Sequence, residues 1–132
     1  WKVPIISGVY GSKKGHPAVW ETHPSGLGFT PIKTLPQRGL TEVAGISMGC
    51  SLIDMRTFSC IPDPWFEWGL RDPRKEGSGE GHSEDLTFCE KAARHGFKLY
   101  IDPDLRCLHE SIVPVNVEGE MKYTPEQSGD AS

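Results

Sequence analysis

The stretch "SEDLTFCEKAARHGF", Ser83 to Phe97, does most to limit what this chain can fold into. Ser83 is a good N-cap, and Glu84 and Asp85 fill a first turn where the helix dipole favours negative charge. Leu86, Cys89, Ala93 and Phe97 fall at i, i+3, i+7 and i+11, an apolar stripe, and Gly96 supplies a C-terminal stop. The spacing predicts a helix over 83–95. "FKLYI" (97–101) then reads as a strand, so a capped helix feeds directly into a sheet.

The remaining apolar runs are short. Val3 to Ser7 has no polar alternation and reads as a buried strand. "AVWE" (18–21) and "GFTPIKTL" (28–35) read as two strands around the turn "HPSGLG", with Pro31 demoting the second to an edge. "LTEVAGI" (40–46) alternates as a strand. "MGCSLIDMRTF" (48–58) starts as a buried strand and ends in a polar helical turn. "DPD" (102–104) reads as a turn and "LRCLH" (105–109) as a last short strand. The expected class is α/β, a mixed sheet with few helices.

Glycine (15) and proline (11) are frequent and cluster in 7–39 and 61–81, so much of the chain is loop. The segment 61–82 carries three prolines, four glycines and two tryptophans. So long an irregular stretch is expected to be a lid or a disordered segment. Residues 118–132 read as a polar, poorly ordered tail. The 132 residues suffice for one domain, and the net charge of -4 with no basic stripe disfavours nucleic acid as a partner. No apolar run approaches the roughly 18 residues of a membrane span, and no secretory-type start is present, so a cytoplasmic location is expected. Cys50, Cys60, Cys89 and Cys107 form no CxxC pair; Cys50 and Cys89 read as buried free thiols, although the count leaves two disulfides open. The abrupt start "WKVPIISGVY" suggests a piece or processed product of something longer.

Several residues are candidates for chemistry, and each carries two readings. Glu84 and Asp85 are explained by helix capping, but a glycine-rich loop leads into them, which suits a carboxylate facing a cleft as general base. His109 ends an apolar strand; it is a structural residue or a ligand for a divalent metal. Asp102 and Asp104 form a D-x-D pattern, with Pro103 favouring a turn over a chelate. Trp65, Phe66 and Trp68 are a satellite core or a platform for sugar faces. Lys13, Lys14 and His16 could meet phosphate, though three basic residues in a loop are ordinarily just solvated.

Taken in order, these pieces resemble the second half of a GT-A fold glycosyltransferase of the family 2 type. "VPIISGVYGSKKGHPAVWE" resembles the strand and loop after the family's metal-binding D-x-D strand. "VAGISMGCSLIDMRTF", with Gly45, resembles the glycine-containing strand on the acceptor side. "SEDLTFCEKAARHGFKLYIDPDLRCLHE" resembles the acidic x-E-D helix, the G-[FY]-K/R strand and the P-D-x-x-x-x-H ending. The likeness covers about residues 3–110, and its third stretch is the most specific.

The resemblance implies a partial GT-A fold, with residues 1–117 as the acceptor-side half and 61–82 as its lid. It implies an inverting transfer of a sugar from a nucleotide-diphospho-sugar to an acceptor hydroxyl. Asp85 would be the catalytic base, with Glu84 shaping the site. Trp65, Trp68, Gly45 and His82 would bind substrate. His109 would bind the divalent cation, Mn2+ or Mg2+, expected only in the complete enzyme. The family's nucleotide-binding half and true D-x-D would precede residue 1, so this chain alone is expected to be inactive and to associate with that missing half or with copies of itself. The alternatives are a non-catalytic carbohydrate-binding or assembly module, and a small metal-dependent hydrolase using Glu84, Asp85, His82 and His109.

Overall fold

In the computed structural model the apolar run near the start of the chain becomes β1 (Ile5–Val9), the second strand from one edge of a four-stranded sheet. Residues 2–12, 16–26, 28–69 and 83–110 are described; Lys13, Lys14, His82, most of the expected lid and the expected tail lie outside them. Six further strands follow in chain order. These are β2 (Val19–Thr22), β3 (Phe29–Pro31), β4 (Thr41–Val43), β5 (Gly45–Ile46), β6 (Ser51–Ile53) and β7 (Leu99–Arg106). The helices are α1 (Met55–Cys60) and α2 (Glu84–Arg94), and a 3-10 turn spans Met48–Cys50.

The larger sheet has the order β4-β7-β1-β6, with β7 parallel to β1 and the other two pairings antiparallel. A three-stranded antiparallel sheet has the order β3-β2-β5. The protein is therefore mixed α/β with a mixed sheet, and Pro31 does lie in an edge strand. Among the described residues no helix is long and apolar enough to cross a membrane.

The core sits where α2 covers the sheets. Ile5, Val9, Val19, Ile46, Phe88, Cys89, Ala92, Leu99 and Ile101 form one buried cluster. Each large aliphatic side chain removed from water there contributes roughly 1.5–3 kcal/mol. The helix buries Phe88, Cys89 and Ala92, whereas Ala93 of the expected stripe is exposed. The buried face turns toward Phe88, the largest apolar side chain of the helix, because that ring fills the space beside Phe58 and Phe66. Gly96, at φ +83°, ends the helix as expected.

Four other expectations are corrected. "LTEVAGI" is not one strand: β4 joins the larger sheet and β5 the smaller, and the chain crosses between them at Ala44, whose N–H donates to Trp20 O at 3.1 Å. "GFTPIKTL" forms a strand only over β3. "MGCSLI" opens as a 3-10 turn and continues as the edge strand β6, with Leu52 74% exposed and Cys50 only half-buried. "DPD" is no turn, for β7 runs through it and no separate strand follows at 105–109.

Pro103 is tolerated in β7 for a visible reason. β4 pairs only with residues 99–101, and β1 skips from Ser7↔Ile101 to Val9↔Arg106. Neither ladder asks residue 103 for an N–H, so its ring is free to be buried. Asp102 is used locally: its Oδ1 accepts from the Asp104 N–H at 3.0 Å.

Candidate functional site

Ser83 leads into the helix with an extended backbone, and its Oγ accepts from the Leu86 N–H at 3.5 Å. Its carbonyl accepts the Thr87 hydroxyl at 3.0 Å. This cap fixes the first turn of α2 and sets Glu84 and Asp85 side by side at its mouth. Asp85 Oδ2 then accepts the backbone N–H of Met48 at 3.1 Å, which ties the helix start to the 48–50 turn.

The contacts continue from that turn. Gly49 N–H donates to the Tyr10 hydroxyl at 3.2 Å. The Tyr10 ring in turn packs on the His109 ring, with centroids 5.0 Å apart and a 48° tilt. A Cβ at position 49 would lie 2.6 Å from the Tyr10 oxygen, so any larger residue there would displace the end of the Tyr10 side chain. Asp85 and His109 are thus joined by a short path of contacts, Asp85–Met48, Gly49–Tyr10 and Tyr10–His109. His109 and Glu110 are both exposed and lie beyond the end of β7.

Burial pushes the Asp85 carboxyl above its ordinary value. The Met48 N–H works against that shift, and the neighbouring Glu84 charge adds to it. Glu84 itself keeps Oε2 buried with no hydrogen-bond partner among the described residues. A buried carboxylate oxygen without a donor is costly.

Gly45 lies in β5 directly under the helix. A Cβ there would sit 2.7 Å from Leu86 Cδ2, 3.2 Å from Trp20 Cβ and 3.3 Å from Phe29 Cδ1. The glycine lets α2 approach closely. On the same strand, the Cys89 sulfur rests 3.4 Å from Ile46 N and 3.6 Å from Ile46 O. Burial pushes that thiol up to about 12, so Cys89 is a packing residue and not a nucleophile.

The aromatic residues divide. The Trp65 indole N–H donates to Ile61 O at 2.8 Å, and its ring meets Phe58 edge-on at 5.0 Å. Phe66 stacks on Phe88 at 4.9 Å and 20°. Lys91 on α2 binds both the Pro64 carbonyl and the Glu67 carboxylate. Residues 61–67 are therefore pinned against the helix, and Trp65 and Phe66 form a satellite core. Trp68 remains 73% exposed and offers a free ring face.

A cavity of about 830 Å3 lies elsewhere. It runs between the smaller sheet, β4 and the C-terminal half of α2, lined by Glu21, Phe29, Glu42, Glu90 and Phe97 among others; neither Asp85 nor His109 borders it. Among the described residues no group of three His, Cys, Asp or Glu is placed to hold a metal ion. Tyr10 and the Met48 N–H were not evident from sequence. "GVYG" reads as a turn, and nothing local announces that its tyrosine reaches a turn 39 positions later.

No family model matches this chain, and no curated protein matches it.

Proposed function

We propose that this chain is the acceptor-side half of an inverting, metal-dependent glycosyltransferase of the GT-A kind. The observation that carries the reading is the Asp85 carboxylate: held at a helix start, oriented by the Met48 N–H and raised in pKa by burial. A general base needs both features, a fixed direction and a proton affinity above that of a free carboxylate. Asp85 would take the proton of an acceptor hydroxyl as that oxygen attacks the anomeric carbon of a nucleotide-diphospho-sugar. Trp68 would offer its exposed face to the apolar side of the acceptor sugar.

A divalent cation would take one ligand from His109 and its other ligands from outside the described residues. When bound, it would stabilise negative charge on the departing diphosphate. The Tyr10 ring supports His109 from one side and so limits its orientation. Residues upstream of Trp1 would carry the nucleotide-binding half. The open side of β6 supports such a partner. Among the described residues this edge strand pairs only with β1, and Leu52 and Met55 nearby are each 74% exposed.

The test is a transfer assay on the polypeptide encoded by the parent reading frame, supplied with Mn2+ and a panel of nucleotide-diphospho-sugars. Donor-dependent release of nucleoside diphosphate is expected. Asp85→Asn should preserve donor binding and lower turnover by roughly 10²–10⁴-fold, the usual worth of a general base. A parent with no D-x-D strand before Trp1, or unaltered turnover in Asp85→Asn, would overturn the reading.

A further inference from the structure

Cys50 and Cys107 meet at one end of the larger sheet, on the two sides of β1. Position 8 in β1 has no side chain, and a Cβ there would meet Leu105 O at 2.9 Å and Cys50 Sγ at 3.1 Å. The Cys50 sulfur therefore lies in the hollow over Gly8, which the end of β7 also lines. Next along β1, Val9 O accepts the Cys107 N–H at 2.8 Å. The Cys50 carbonyl is held by the Ser7 hydroxyl at 2.9 Å. The two cysteines thus flank one peptide of β1, and the Cys50 side chain pushes the Cys107 thiol above its ordinary value. Both are free and half-buried; Cys60 is exposed and Cys89 is buried.

We infer that Cys50 and Cys107 are a dithiol pair that closes to a disulfide by exchange with a small-molecule disulfide, clasping the 48–50 turn to the end of β7. The Cys50 thiolate attacks one sulfur of the small disulfide, forming a mixed disulfide and releasing one small thiol. The Cys107 sulfur then attacks Cys50 Sγ and displaces the second small thiol. Two protein thiols are oxidised, one small disulfide is reduced, and the two protons end on the released thiols.

The location gives the clasp a consequence. The 48–50 turn carries the N–H groups that bind Asp85 Oδ2 and the Tyr10 hydroxyl. The segment after β7 carries His109, which packs on Tyr10. A bond between Cys50 and Cys107 joins these two segments covalently and restrains the path from Asp85 to His109. The inference does not depend on the proposed transferase activity, because it rests on where the fold places the two cysteines.

The test treats the full chain with oxidised glutathione, blocks remaining thiols by alkylation and maps peptides without reduction. One cross-linked peptide pair joining Cys50 to Cys107 is expected, with Cys60 carrying glutathione and Cys89 still reduced before unfolding. Amide exchange at Met48 and Gly49 should slow in the bridged chain and recover on reduction. In Cys50→Ser, Cys107 should be found only alkylated or as a glutathione adduct. Stable glutathione adducts on Cys50 or Cys107 of the unsubstituted chain, a bridge through Cys60, or unchanged exchange at Met48 and Gly49 would overturn the inference. The peptide map of the unsubstituted chain decides the pairing even if the serine variant does not fold.

Discussion

The Met48 N–H donates to Asp85 Oδ2 across 3.1 Å, joining residues 37 positions apart at the mouth of α2. Burial raises the folded-state pKa of this carboxyl above the ordinary value of 3.8. The native chain therefore holds the Asp85 proton more tightly than the unfolded chain does. Stability is lost as pH climbs from about the unfolded value through the raised folded value, and stays lost above it. Asparagine carries no charge and still offers an oxygen to Met48. Asp85→Asn should accordingly gain stability relative to the unsubstituted chain as pH rises through this window and match its trend at lower pH. Denaturant unfolding of both chains from acid to neutral pH measures the difference. A variant whose relative stability falls with rising pH would show that the charge is favoured in the fold.

Gly45→Ala should destabilise the chain by about 1–3 kcal/mol, the range for an added methyl group in a packed core. The Leu86 side chain can swing aside, but Trp20 Cβ, at 3.2 Å, is fixed by its own strand. The strain falls on the start of α2, next to Asp85. Chemical denaturation gives the cost, and amide shifts at 84–87 show where it goes. A loss below about 0.5 kcal/mol with no shift there would mean that the helix does not need the close approach at Gly45.

Removing only the Tyr10 hydroxyl, as Tyr10→Phe, leaves the Gly49 N–H to solvent and keeps the ring against His109. Gly49 is exposed, so water replaces the lost acceptor and the cost should be small, about 0.5–1.5 kcal/mol. Faster amide exchange at Gly49, with the rest of the sheet unchanged, is the expected signature.

The parts of the fold visible in the sequence were those set by local chemistry. Ser83 declares a helix start, Gly96 its end, and Pro31 an edge strand, because caps and rings act on their own neighbours. What stayed hidden was set by the other strands. Pro103 looks like a turn until one sees that neither β1 nor β4 needs a donor at that position. Ala44 gives no sign that the chain changes sheets there. At the candidate site, Glu84, Asp85 and His109 stand out in the sequence as candidates, and Glu84 and Asp85 do occupy the first turn of α2. Tyr10, Gly49 and the Met48 N–H were not, since their roles arise only when three distant segments meet.

Trp65 and Trp68 are three positions apart, and their substitutions should separate packing from recognition. Trp65 donates to Ile61 O and rests on Phe58, so Trp65→Ala loses a hydrogen bond and part of a satellite core. Its ring is 37% exposed, so the cost should be about 1–3 kcal/mol, below the roughly 3–5 kcal/mol of a fully buried aromatic residue. Trp68 is 73% exposed, and Trp68→Ala should change stability by no more than about 0.5 kcal/mol. If Trp68 receives an acceptor sugar, that second variant should bind acceptor glycans more weakly despite its intact fold, while Trp65→Ala should bind them normally wherever it is folded. Urea unfolding paired with glycan-binding titrations of both variants reads out the two effects independently. Glycan binding that survives in Trp68→Ala would remove Trp68 from the acceptor wall.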